Sequence, residues 1–342
     1  MIEHLGKEYK GALFGAGGVA RLAHLPAYGV NADCRLSIIA AVDDADIEPL
    51  DGIKHLKRKE DLAPLASRLD FVDVCTPTSS HLELVTWALA QGYHVMCEKP
   101  VALSLGEAEQ IRAAAHRAGR VVMACHQYRY NPAWQKVRAW LDEGAIGRWH
   151  LAEVHVGRPH ADQGALAQGT PWRGLRAQSR GGVLLDHGTH WLYLLMDVAG
   201  APTRVQSWTG RLRHSDYDVE DTAHLLLEFK GRLATMLVTW AATKRENRVR
   251  FVGEKGTIEW SGTRLSLDAE AAGGRRESLD FTAALDKKAY KEWFAALFAR
   301  FTEAMDHGTD EAALEEIAQV ASILEHAYRA PIEVVPGVAT VR

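Results

Sequence analysis

The segment FVDVCTPTSSHLELVTWALAQGYHVMCEKPVA, residues 71–102, decides the fold. Two short apolar runs, 71–75 and 94–97, flank a stretch with apolar residues at helical spacing that ends at Gly92, a common helix stop. Strand, helix, strand is the unit that builds a parallel sheet covered by helices. The second run does not finish on an ordinary turn but on Glu98, Lys99 and Pro100. Proline cannot donate to a sheet ladder and biases the preceding residue away from helix, so Pro100 ends the strand and fixes the direction of Lys99.

Outward from this unit the alternation continues. Strand-like runs at 11–17, 36–44 and 120–127 are separated by helical patterns in RLAHLPAYGV (21–30) and SLGEAEQIRAAAHRAG (104–119). This βαβα order predicts an α/β protein with an N-terminal Rossmann domain, a doubly wound parallel sheet, over residues 1–125. The full 342 residues exceed what one core supports, so a second domain is expected over 126–342. It starts with an amphipathic helix in NPAWQKVRAWLDEGAIG and carries an irregular stretch rich in Gly, Arg and Gln (159–182). A helix over 182–200 follows, then alternating runs that read as a large, mainly antiparallel sheet. Helices at 287–306 and 310–329, able to pack back on the first domain, and a short strand IEVV (332–335) close the chain.

Forty Lys plus Arg balance 44 Asp plus Glu, which gives no electrostatic reason to expect nucleic acid or an anionic membrane as partner. No apolar run reaches the roughly 18 residues a membrane span needs, and the first residues leave no room for a signal peptide. A soluble, cytoplasmic protein acting on a small molecule is expected. Cys34, Cys75, Cys97 and Cys125 lack metal-ligand spacing and read as core residues.

The first strand runs into Gly15-Ala16-Gly17-Gly18-Val19-Ala20, a GxGxxA turn before a helix. Such glycines let the backbone approach a pyrophosphate whose charge the next helix start favours, although a plain βα turn looks the same. The second strand ends at Asp43, close to the spacing at which an acid meets a ribose hydroxyl, and Asp44 follows with no arginine to greet a 2′-phosphate. NAD is therefore expected over NADP.

At the edge of that crevice, Lys99 can polarise a carbonyl or hold a hydroxyl, with Glu98 beside it; a surface Glu-Lys pair would read alike. The spacing of Thr76-Pro77, His81 and Glu98-Lys99-Pro100 resembles the signature of the Gfo/Idh/MocA oxidoreductase family (glucose-fructose oxidoreductase, inositol dehydrogenase and relatives). The resemblance implies NAD(P)-dependent oxidation of sugars, inositols or related polyols. It also implies a catalytic Lys99, a cis Lys99–Pro100 bond, and cofactor contacts from Thr76, Pro77, His81 and Glu98.

Asp186 and His190, four apart at a helix start, share one face, and an imidazole suits a group that takes a hydroxyl proton. A capped helix with a buried histidine fits the pair as well. Gly181-Gly182 with Asp186-His187-Gly188-Thr189-His190 is similar to the family's second motif, which makes His190 the general base with Asp186 and Lys99 as partners. His187 is expected off that face, in a structural role or at the substrate rim, so a metal site with Asp186 and His190 is not expected. The resemblance further places Arg129 and Asn131 near the domain junction and puts Trp172 and Arg173 by the pocket, Trp172 on the cofactor and Arg129 and Arg173 on the substrate. His155, Arg158, His160, Arg176 and Arg180 crowd the same region, where they could greet a carboxylate or many hydroxyls; a solvated loop would read alike.

The reading is an NAD-dependent dehydrogenase for a secondary alcohol of a sugar, inositol or polyol. The alternative is a glycoside-modifying or sugar–sugar redox enzyme that recycles a tightly held NAD. Apolar runs in RLATMLVTW and HLLLEF predict a homodimer or homotetramer through the C-terminal sheet.

Overall fold

The computed structural model describes residues 8–28, 36–43, 50–162, 170–270 and 274–329. Cys34, Asp44, the IEVV run and part of the 159–182 stretch lie outside them. The first sheet holds β1 (Tyr9–Phe14), β2 (Leu36–Val42), β3 (Lys54–Leu56), β4 (Phe71–Val74), β5 (His94–Cys97) and β6 (Val122–Ala124). All pairs are parallel, in the order β3-β2-β1-β4-β5-β6. This is the doubly wound dinucleotide-binding order, whose ligand crevice opens beyond the strands' carboxyl ends where the order reverses.

Helices α1 (Leu25–Ala27), α2 (His81–Ala90), α3 (Leu105–Ala118), α4 (Pro132–Asp142), α5 (Arg176–Ser179), α6 (Thr189–Ala199), α7 (Tyr290–His307) and α8 (Glu311–Arg329) cover the two sheets. The second sheet has eight strands: β7 (Trp149–Gly157), β8 (Arg204–Gly210), β9 (Thr222–Phe229), β10 (Arg232–Thr239), β11 (Glu246–Gly253), β12 (Gly256–Ser261), β13 (Arg264–Ala269) and β14 (Arg275–Asp280). It is antiparallel throughout except where β7 and β10 run parallel at its centre.

Both C-terminal helices return to the first sheet. Phe294, Phe298 and Phe301 of α7 bury against Tyr9, Phe71 and Met96, each ring contributing roughly 1.5–3 kcal/mol by leaving water. Along α8, Leu314, Ile317 and Ala321 join the core of the first sheet, while Val320, Ile323 and Leu324 join that of the second. One helix thereby stitches the two cores and fixes the crevice between them. Trp134 and Trp140 of α4 and Trp191 of α6 fill the inner face of the second sheet with Val154, Phe251 and Trp260.

Candidate active site

The phosphate turn is shaped by contact between strand ends. Gly15 has φ 82°, and a Cβ there would lie 2.9 Å from the Cys75 carbonyl and the Thr76 nitrogen, so only glycine fits between β1 and β4. Ahead of it Gly17 and Gly18 are exposed, with no atom within 4 Å of where a Cβ would stand. Val19 is half-buried, and Ala20 opens a π-helical turn, Ala20–His24. The Ala16 N–H donates to Asp43 Oδ2 at 2.8 Å, which holds the acid at the end of β2 beside the turn. A bare backbone cradle at a helix start, with a carboxylate alongside, fits a dinucleotide: Gly15–Ala20 would hold the pyrophosphate and Asp43 a ribose.

Thr76 and Pro77 follow β4, with Thr76 Oγ1 accepting from Ser80 at 2.7 Å. His81 is 2% exposed; its ring nitrogens face Thr76 O at 2.9 Å and Pro100 O at 2.8 Å. It braces the two loops from behind rather than facing the crevice. Glu98 differs likewise from its expected place at the crevice edge. It turns inward to the fully buried His24, whose two ring nitrogens meet Glu98 Oε1 at 3.0 Å and Asp73 Oδ2 at 2.9 Å. With a carboxylate on each side, the imidazole donates twice and is held charged: burial lowers its affinity for the proton, but Asp73 and Glu98 outweigh that and raise it to about 9.

The Lys99–Pro100 bond is cis. Lys99 Nζ donates to the Asp186 carbonyl at 2.5 Å and to Asp186 Oδ1 at 3.1 Å, across 87 residues of sequence. Asp186 lies on a second π-helical turn, Leu184–Gly188, which runs into α6. His187, expected off the Asp186 face, lies on the same turn with its Nε2 3.6 Å from Asp186 Oδ2. Arg173 stacks on Trp172, 4.5 Å to the ring centroid, and its Nε lies 3.4 Å from Asp186 Oδ1. Gly182 holds this turn against its neighbour, since a Cβ there would sit 1.9 Å from the Glu220 carbonyl oxygen; its N–H donates to the Glu220 carboxylate at 2.9 Å.

His190 is buried, stacked on Tyr128 with centroids 4.1 Å apart, and its Nδ1 is 3.0 Å from the Tyr193 hydroxyl. Tyr193 also accepts the Tyr128 N–H at 3.1 Å, so one phenol fixes both rings. Burial foremost, then the Lys99 charge, push His190 well below the ordinary histidine range; burial lowers His187 to about 4. Asp186 moves well below the usual carboxylate range, because Lys99, His187 and Arg173 together overcome its burial. The arrangement presents a fixed ammonium, a carboxylate that stays ionised and a neutral imidazole, the set a proton transfer at a hydroxyl requires.

Arg129 takes a different place from the substrate contact expected of it. Its guanidinium pairs with Glu316 of α8 and, through Nε, with Asp197 of α6 at 3.2 Å. Asn131 caps α4 by accepting the Ala133 N–H at 2.8 Å. Of the polar residues at 155–180, Arg176 is tied to Asp218 and Arg180 to Glu107, His155 lies 3.6 Å from Glu246, and His160 faces the Ala161 carbonyl. Tyr128 and Tyr193, which contact His190, and His24, which contacts Glu98, are neighbours of the candidate residues that sequence reading passed over. Tyr128 lies in QYRYNPAW, residues 127–134, where an aromatic ring has no periodicity to set it apart from packing.

Residues 10–126 match the family described as "Oxidoreductase family, NAD-binding Rossmann fold", and residues 134–259 match "GFO/IDH/MocA C-terminal domain". A D-apiose dehydrogenase of Paraburkholderia graminis is 33% identical over 270 residues, 77% of this chain and 68% of that protein. A D-glucoside 3-dehydrogenase of Escherichia coli is 29% identical, covering 71% of this chain and 74% of that protein. Three further related oxidoreductases are spanned over only 51%, 56% and 58% of their lengths. Among solved structures, an oxidoreductase from Agrobacterium radiobacter in complex with NAD+, L-tartaric acid and magnesium shares the fold with a TM-score of 0.80. It is 23% identical, over 95% of this chain and 96% of that one. A levoglucosan dehydrogenase in complex with NADH has a TM-score of 0.79 at 18% identity, over 94% and 96% of the two chains. The chain belongs to the Gfo/Idh/MocA oxidoreductase family and is a nicotinamide-dependent dehydrogenase.

Proposed function

We propose that the enzyme oxidises a secondary alcohol of a sugar or related polyol with NAD as acceptor, and that Lys99, Asp186 and His190 handle the hydroxyl proton. The observation that carries this reading is the meeting of Lys99 and Asp186 at 3.1 Å, with His190 four residues on from Asp186 in the first turn of α6, buried and thereby kept neutral. When bound, the nicotinamide accepts hydride from the substrate carbon. The chain's own part is orientation and proton transfer. Lys99 donates to the substrate oxygen, Asp186 aims the ammonium, and neutral His190, oriented by Tyr193, takes the proton. NAD is favoured over NADP because Asp43 stands at the ribose end of the turn, where a 2′-phosphate would meet a like charge.

A panel of sugars, sugar acids and polyols followed by NADH absorbance, run with both cofactors, tests the reading. Turnover of at least one compound is expected, with kcat/KM for NAD roughly tenfold or more above NADP, the size of a single unfavourable charge contact. No net NADH with any compound, together with co-purifying NAD, would instead indicate a recycled cofactor.

No helix among the described residues is long and apolar enough to cross a membrane, in keeping with the cytoplasmic setting we propose. The outer face of the second sheet carries Trp208 and Leu233, both over a third exposed, and the half-buried Leu226 and Leu237 on the same face, with His224 paired to Trp208 and Leu237, and Glu228 to Leu233. We assign this face to pairing with a second copy. Sedimentation should give a dimer or tetramer, and Leu226→Glu with Leu237→Glu should shift it to monomer; a monomeric parent would refute the assignment.

A further inference from the structure

Cations around Asp186 outnumber the carboxylates. Lys99 and Arg173 both converge on Asp186 Oδ1, at 3.1 and 3.4 Å, so a single acid serves two cations. A third, Arg158, follows the end of β7 and is only 7% exposed. Its Nη1 donates to the carbonyls of Gly157 at 2.6 Å and Glu246 at 2.9 Å, and its Nη2 donates to Asn247 Oδ1 at 2.9 Å. Its Nε has no partner, and no carboxylate among the described residues pairs with it.

Arg158 sits beside the site: its backbone N–H donates to the Thr239 carbonyl at 2.9 Å, and Trp240, the next residue, holds its ring 6.5 Å from that of His187, whose affinity for a proton the Arg158 charge helps to lower. Burial, and then the neighbouring Arg245, pull Arg158 down to about 10, a value at which it is still cationic at neutral pH. A buried cation bonded only to neutral oxygens is costly, because those dipoles replace water without replacing a counter-charge. The turn that fits a pyrophosphate follows β1, whereas Arg158 follows β7 and its guanidinium bonds within the second sheet, to Gly157, Glu246 and Asn247.

We propose that the substrate supplies it: the alcohol oxidised belongs to a sugar acid, an aldonate or uronate, whose carboxylate is drawn by Arg158 and Arg173. This narrows the substrate class of the function proposed above and rests on it. A carboxylate suits the site better than a phosphate, because Arg173 is already shared with Asp186 and a dianion would compete with that pair.

Matched pairs test the proposal: D-glucuronate against D-glucose, and D-gluconate against D-glucitol, with D-glucose 6-phosphate as a further arm. Binding to the NAD-saturated enzyme is followed by calorimetry, and oxidation by NADH absorbance. The acid of each pair should bind roughly tenfold or more tightly than its neutral partner, an advantage that shrinks with added salt. Arg158→Gln should abolish the preference and Arg158→Lys should keep most of it. Arg245→Gln, at an exposed position with little risk to folding, should reduce it, with NAD affinity unchanged in all three. Equal or better binding of the neutral partners, or no binding of any acid, overturns the proposal. A phosphate that outbinds both acids overturns the carboxylate assignment. Oxidation of neutral sugars without an acid preference would leave the dehydrogenase reading standing while this one fails. Failure to oxidise any member in spite of NAD binding would count against the sugar-alcohol substrate proposed above and take this proposal with it.

Discussion

Lys99→Met should lower kcat by roughly 10²–10⁴, the range that a positioned proton-handling group contributes, while NAD binding stays within a few-fold of the parent. Methionine keeps the stem and loses the ammonium that joins the Asp186 carbonyl and carboxylate. The pH dependence distinguishes this loss from a collapsed site. His190 must be neutral to accept a proton, and burial plus Lys99 set it below 6.5, so the acid limb of kcat/KM in the parent should lie below pH 6.5. Without the ammonium one depressing influence is gone, and the limb should move to higher pH. His190→Asn should lose the limb altogether. If Lys99→Met keeps more than a tenth of the parental kcat, the ammonium is not at the reacting oxygen.

The Rossmann sheet was legible because its strands are buried on both faces and so read as unbroken apolar runs, as in residues 71–74 and 94–97. β3, with the exposed sequence Lys-His-Leu, and β14, in the polar Arg275–Asp280, gave no such signal; each exists because a neighbouring strand offers an edge. The helix at 182–200 was expected as one regular piece, and its first turn is a π turn. A one-residue shift of hydrogen-bond register leaves no mark in composition. Side-chain destinations were hardest to read. Glu98 finds His24 across 74 residues and Arg129 finds Glu316 across 187, distances at which sequence carries no pairing rule. A local motif names the residue types at a site, and long-range partners decide which of them face the ligand.

His24 illustrates that second half, and its replacement should have the largest effect on stability. The imidazole lies between Asp73 and Glu98, packed at a tilt against Phe294 with ring centroids 4.2 Å apart, and Tyr28 donates to the same Asp73 oxygen at 2.7 Å. The folded protein holds the His24 proton up to about pH 9, whereas an unfolded chain releases it near 6.5. The stabilisation is therefore complete below pH 6.5 and is lost as pH rises through 9. A difference of this size corresponds to roughly 3 kcal/mol. Denaturant unfolding at pH 6 and pH 9.5 should show the parent losing stability over that interval by about this amount. His24→Asn should be less stable by about 3–5 kcal/mol at pH 6, because two buried carboxylates lose their cation, and its stability should vary less across the same interval. The effect should also reach the site, since Glu98 Oε2 accepts the Lys99 N–H at 3.2 Å and so holds the residue that carries the ammonium. At a temperature where His24→Asn remains folded, kcat should fall with KM for NAD little changed, marking His24 as a positioning residue that acts through Glu98. A variant as stable as the parent at pH 6 would mean that the imidazole between the two carboxylates is not charged.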